Sequence, residues 1–147
     1  MSWRGFTLIE TLIALVIMGV LLALGLPRVG EWARRESVRG ARRQVITYLA
    51  QARAAAIHRG CGSVLHLDPS GARVWVTACA LQGGATDTVG GVDDLVNRYG
   101  VSFQSDGDSL TFTPQGLAFA TASIRVAFRR GADSALLTIT PTGRPVW

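Results

Sequence analysis

Glu10 is the one ionisable side chain between Phe6 and Leu26, a run of 21 residues that is otherwise almost wholly apolar. A carboxylate held at membrane depth costs on the order of 2.5–3.5 kcal/mol, so an acid in such a place calls for a named partner. Arg4 lies a turn and a half away, in the short polar leader Met1–Gly5. A cut after Gly5 would supply a better cation, because Phe6 would then carry a new amine four residues before Glu10. Residues i and i+4 are neighbours on a helix, so that amine would pair with Glu10 of its own chain or of a neighbour. The competing reading is a protonated, snorkelling Glu10 tolerated near the membrane face.

Cys61 and Cys79 are the only cysteines, an even count that an oxidising compartment would join. Ser63–Leu67 and Arg73–Thr77 flank the turn string Asp68-Pro69-Ser70-Gly71, which predicts a hairpin. If Leu67 faces Arg73, then Leu65 faces Trp75, Ser63 faces Thr77 and Cys61 faces Cys79, within disulfide reach. The rival use of His58, Cys61, His66 and Cys79 as a zinc site lacks a CxxC or HxxxH pair, so no metal is assigned. Asp93-Asp94 has no EF-hand pattern around it. All fifteen basic residues are arginine, against ten acidic residues, for a net charge of +5. An anionic partner suits that excess, and so does a plain compositional bias. No Gly-x-Ser-x-Gly, Walker A, HExxH or GxGxxG string occurs, so we expect neither an enzyme nor a cofactor.

These groups need elements to hold them. The apolar run as a helix is about 31 Å long, enough to cross a bilayer core of about 30 Å. It is too long for a cleaved secretory signal core. Pro27 follows and should kink or loosen the helix. The helix then resumes to about Arg59, because Val38, Ala41, Val45, Leu49, Ala52 and Ala56 recur at three- and four-residue steps. Gly60 and Gly62 supply its stop. Arg35, Arg39 and Arg42, with Arg43 beside them, fall on a different face. Beyond Gly60 the period turns to two. Ala80–Arg98 reads as a long surface loop. Strands are expected at Val101–Gln104, Leu110–Thr113, Ser123–Arg130 and Ala135–Thr140, with Ile124, Val126 and Phe128 alternating with Arg125 and Arg129.

The string Gly5-Phe6-Thr7-Leu8-Ile9-Glu10, after a short basic leader and before the apolar run, resembles the class III signal of type IV prepilins and type II secretion pseudopilins. The helix end Ala52-Arg53 to Arg59-Gly60, the segment Leu110 to Gly116 and the tail Thr140 to Arg144 resemble the GspH/FimT family of minor pseudopilins and minor pilins. The resemblance implies an α+β fold: a long N-terminal transmembrane helix packed on an antiparallel, β-rich head. It divides the chain into a leader (1–5), a transmembrane and filament-core helix (6–26), a continuing amphipathic helix (27–60) and a periplasmic head (61–147). It also implies that a prepilin peptidase cuts after Gly5 and that the new terminus, Phe6, is methylated. Glu10 then steers each subunit into the filament by pairing with a terminal amine.

The implied partners are that peptidase, other pilins through the N-terminal helix, and an inner-membrane assembly platform. The implied location is the bacterial inner membrane in a single pass, then the pilus or pseudopilus. The charge count disagrees on orientation, since Arg4 alone precedes the span while six arginines follow it between Arg28 and Arg43. The family resemblance sets the head outside.

Two functions follow, a minor pseudopilin of type II secretion and a minor pilin of a type IV pilus. Some type IV members bind DNA through a C-terminal Gly-Arg-x-Arg. Gly143-Arg144-Pro145-Val146 keeps the first arginine and has valine at the second, leaving Arg125, Arg129, Arg130 and Arg144 as a DNA-binding patch to be tested. A third reading is a single-pass anchor that never polymerises.

Overall fold

The computed structural model describes residues 7–80 and 85–147, apart from the side chains of residues 26–29. Helix α1 runs from Leu8 to Arg59. The chain divides into two compact units, Met1–Ala33 and Arg34–Trp147. In the first, the helix is a bare apolar rod, with Leu8, Leu15 and Leu24 each about two-thirds exposed or more. The helical assignment continues across Pro27, whose side chain, and with it the expected kink, lies outside the described residues.

In the second unit the rest of α1 is the spine of a two-sheet head. The expected stripe is buried: Val38, Ala41, Val45, Leu49, Ala52 and Ala56 are all below 5% exposed, and Tyr48 joins them. Among the described residues nine strands follow: β1 (Ser63–Asp68), β2 (Arg73–Cys79), β3 (Thr86–Asp94), β4 (Ser102–Ser105), β5 (Ser109–Phe112), β6 (Ala118–Phe119), β7 (Ile124–Arg130), β8 (Asp133–Ile139) and β9 (Pro145–Val146), with a short helix α2 (Leu95–Tyr99) between β3 and β4. They form one sheet in the order β3-β2-β1-β5-β6 and another in the order β4-β7-β8-β9. Every pairing is antiparallel. Leu65, Leu67, Val74, Val76, Leu110 and Phe112 from the first sheet share one core with Phe103, Val126, Phe128, Leu137 and Ile139 from the second. Ser63, the one buried polar residue among the described residues, donates to the Ala52 carbonyl at 2.6 Å and so bonds β1 to α1.

Two expectations are corrected. The β1–β2 register is one residue away from the expected one: Asp68 faces Arg73, Leu65 faces Val76 and His66 faces Trp75. Ala72 lengthens the turn by adopting a left-handed φ of 48°. A one-residue slip swaps the faces of a strand. The observed register puts Leu65, Leu67, Val74 and Val76 inward together, whereas the expected one would have set Leu65 beside Trp75. Cys61 and Cys79 are therefore not directly opposed. Cys61 precedes β1, and the disulfide closes obliquely across a Cα–Cα distance of 6.2 Å. It consumes both thiols and so removes the zinc alternative.

The second correction is that most of the expected loop Ala80–Arg98, from Thr86 onward, is regular structure. Residues 81–84 lie outside the described set, but Thr86–Asp94 is a full edge strand and Leu95–Tyr99 a helix. The Gly90-Gly91 pair that suggested a loop sits in a bulge, where β3 carries two residues more than β2 between Val74 and Val76. Side chains of α1 satisfy the bulge: Gln51 donates to the Val89 carbonyl at 3.1 Å and Tyr48 to the Gly91 carbonyl at 3.4 Å. The acid pair is spent locally, Asp94 capping α2 through the Asn97 amide at 2.9 Å and Asp93 binding Arg98 at 2.6 Å.

The disulfide spans a sequence separation of 18. Closing a loop of that size restricts the unfolded chain by about 2–3 kcal/mol. We expect Cys61→Ser/Cys79→Ser to lose about that much, seen as a lower midpoint in chemical unfolding, and a reducing agent to move the unmodified chain to the same midpoint while leaving the variant unchanged.

Candidate assembly interface

At the start of α1, Thr7 acts as the N-cap. The Glu10 amide donates to the Thr7 carbonyl at 3.1 Å and lies 3.4 Å from its hydroxyl. Thr-Leu-Ile-Glu thus has the form of a capping box, with Glu10 in the first turn where the exposed N–H groups favour an anion. That role of Thr7 was readable from the Thr-x-x-Glu spacing and was missed. Gly5 and Phe6 lie outside the described residues. Past Glu10 the apolar side chains encircle the helix, and the most hydrophobic window, of mean hydropathy 2.5, has no buried residue. A helix apolar all round needs lipid or other apolar helices about it.

The family-like motifs of the head converge on Arg53 and Arg59. Arg53 donates to the carbonyls of Thr142 and Gly143, at 3.2 and 3.1 Å, and lies 5.5 Å from the centre of the Phe112 ring. One side chain thereby joins the helix end, the Leu110–Gly116 segment and the Thr140–Arg144 tail. The two loop motifs form the same turn. Gly116 N–H donates to the Thr113 carbonyl and Gly143 N–H to the Thr140 carbonyl, both at 2.8 Å, and each Thr amide bonds back to the residue after its glycine. Each Thr-Pro-x-Gly turn leads into a two-residue edge strand, β6 or β9. Arg59 holds the opposite side of the head through the Cys79 carbonyl at 2.6 Å. None of these cross-chain bonds is visible in helical periodicity.

The four arginines named for DNA are only partly brought together. Arg125 and Arg129 share the exposed face of β7, but Arg125 is bonded to Asp106, with 3.3 Å between Nε and Oδ2. Arg130 lies on the inward side, donating to the Tyr99 carbonyl at 2.8 Å and to the Ser37 hydroxyl. Arg144 is exposed on the last turn, beside Gly143, whose positive φ of 73° that turn requires. Trp147 is 71% exposed rather than packed into the head, 5.9 Å from the Arg42 guanidinium.

On the outer face of the first sheet His66 stacks on Trp75 at 4.9 Å and meets the Thr77 hydroxyl at 2.8 Å. Burial pushes the imidazole below its ordinary value of 6.5. A group depressed on folding contributes stability that is whole above its unfolded value and is lost as pH falls through its folded one. The head should therefore lose stability on acidification from about pH 6.5 downward, and His66→Gln should flatten that slope in denaturant titrations. Asp68, held below the usual carboxylate range by the Ser70 hydroxyl and the Gly71 amide, acts in the same sense at lower pH.

The family model for type II transport protein GspH matches residues 41–143, and the one for the prokaryotic N-terminal methylation motif matches residues 4–26. No curated protein matches the chain at a significant level. Among solved structures, the type IV minor pilin FimU of Pseudomonas aeruginosa is similar at TM-score 0.58 and 17% identity, over 78% of this chain and 90% of that one. The minor pseudopilin EpsH of the Vibrio cholerae type 2 secretion system is similar at TM-score 0.55 and 12% identity, over 75% and 94%. At such identities these likenesses speak for the fold. The match across residues 41–143, with the methylation motif ahead of it, identifies the chain as a member of the GspH family of minor pseudopilins and pilins.

Proposed function

We propose that this chain is a minor pseudopilin of a type II secretion system, made as an inner-membrane precursor and assembled through α1 into a periplasmic pseudopilus that helps export folded proteins. The observation that carries the reading is the bare apolar rod with one acid in its first turn. Lipid covers such a surface before assembly and the helices of other subunits cover it afterwards, so transfer between the two conserves apolar burial. The prepilin peptidase cuts after Gly5 and Phe6 is methylated. The new amine pairs with Glu10 of a neighbouring chain, and the assembly platform of the inner membrane drives the addition. The work of the chain is contact, and we assign it no catalytic step.

Mass spectrometry of the native protein tests this directly: the expected N-terminus is a methylated Phe6, and an intact Met1 in cells that contain the peptidase sinks the reading. For the alternative, a type IV minor pilin that takes up DNA, the test is a salt-dependent DNA shift with Arg144→Ala as control. With Arg125 ion-paired and Arg130 turned inward, we expect no shift at low salt.

A further inference from the structure

Strand β8 is an incomplete edge. On one side all seven of its residues pair with β7, but on the other β9 covers only Thr138 and Ile139. Among the described residues no strand lies against Asp133–Leu137 on that second side. Thr140 bonds back to Arg144 along the covered edge. The alternation of a strand therefore turns the backbone groups of Leu136 and Ser134 to the same side, where they meet no strand. An open edge of this kind is a template for another extended chain.

Beside that edge runs the arginine face of α1. Arg35, Arg39 and Arg42 line a cavity of about 380 Å³ together with Asp133, Ser134 and Ala135. Asp133 lies 3.6 Å from Arg34 and 3.4 Å from Arg35, so this groove already holds one carboxylate between guanidinium groups. Its remaining cations have no such partner. Arg39 is exposed and makes no ion pair among the described residues, and the buried Nε of Arg42 has no hydrogen-bond acceptor. A buried, unpartnered guanidinium N–H is costly, and a carboxylate is its best-fitting acceptor.

We propose that this groove takes an extended acidic segment of a neighbouring filament subunit, which adds as a strand to the open edge of β8 and sets its carboxylates against Arg39 and Arg42. The backbone would supply affinity and the arginines the choice of sequence. The inference rests on the filament reading for the identity of the neighbour; the groove itself lies wholly within the head unit.

The test uses the full chain in detergent micelles and a fluorophore-labelled peptide, Val-Glu-Val-Glu-Val-Glu-amide, read by fluorescence anisotropy at low salt. Alternation places all three carboxylates on one side of such a strand. Saturable binding is expected, weakened roughly tenfold by Arg39→Gln, a change at an exposed position that leaves the core untouched. A peptide with lysine in place of glutamate should not bind, and one N-methylated at alternate amides should lose binding with its charges intact. Equal binding of the N-methylated peptide overturns strand addition, and indifference to Arg39→Gln overturns the site. A short DNA duplex that takes these arginines in preference to the peptide overturns the assignment in favour of nucleic acid. Because the assay needs only the isolated subunit, its failure leaves N-terminal processing and assembly standing, and a failure of processing leaves the peptide result standing.

Discussion

Glu10→Ala should leave the chain in the membrane and keep it out of the filament. Two states compete for the rod. In lipid, Glu10 is a liability of about 2.5–3.5 kcal/mol, so its removal makes the membrane state more comfortable. On the proposed reading the acid faces an amine of a neighbouring subunit in the filament, and removing one member of a buried pair strands the other at a cost of about 3–5 kcal/mol. Both changes push the same way. Acting together they lower incorporation by roughly four orders of magnitude or more, by the rule that about 1.4 kcal/mol is tenfold. Quantitative immunoblots of membrane and sheared-filament fractions measure it. Glu10→Asp keeps the charge and shortens the reach, so it should fall between the two. Normal incorporation of the alanine variant would sink the role given to Glu10, whereas intact function with neither protein in the sheared filaments would favour a single-pass anchor that never polymerises.

What could be read from the sequence was what a local pattern dictates. The helical stripe from Val38 to Ala56 needed only the three- and four-residue spacing of its apolar members, and each of those positions is buried. The cysteine pair was found although the register used to find it was one residue out, because an oblique disulfide tolerates such a slip and a strand face does not. Two of the misreadings turn on partners distant in sequence. Gly90-Gly91 looks like loop until Gln51 and Tyr48, about forty residues earlier, are seen to bond the carbonyls of Val89 and Gly91. Asp93-Asp94, which has no EF-hand pattern around it, is accounted for nearby, by Arg98 and by the start of α2. Arg130 reads as part of a surface patch until its inward contact with Tyr99 and Ser37 is known. At the candidate interface the balance reverses. Glu10, Thr7 and the apolar rod are local features and so are legible, while the groove beside β8 exists only because α1 and β8 are brought together by the fold.

Gly143→Val is the change expected to harm the head most. Gly143 sits at φ 73°, where a β-branched residue is strained by about 1–2 kcal/mol. A Cβ there would also stand 2.7 Å from the Ala118 Cβ and 3.0 Å from Phe112 Cε1. Neither neighbour is a flexible chain end that can swing aside, and forcing a packed site apart adds about 1–3 kcal/mol. The same Cβ would lie 3.0 Å from the Arg53 Nη2 that donates to the Gly143 carbonyl, so the clamp on the tail is lost as well. Together these make a loss of about 4 kcal/mol and a fall in melting temperature of roughly 10 °C or more for a head of this size. Arg53→Met, which keeps most of the stem against Phe112 and removes the donors, isolates the clamp and should cost less, about 1–2 kcal/mol. If Gly143→Val melted like the unmodified protein, the glycine of the Gly-Arg tail would not be the structural necessity argued here, and its place beside an arginine would have to be explained by a ligand after all. Should it instead melt early while Arg144→Ala melts normally, the glycine belongs to the fold and only the arginine remains free for binding.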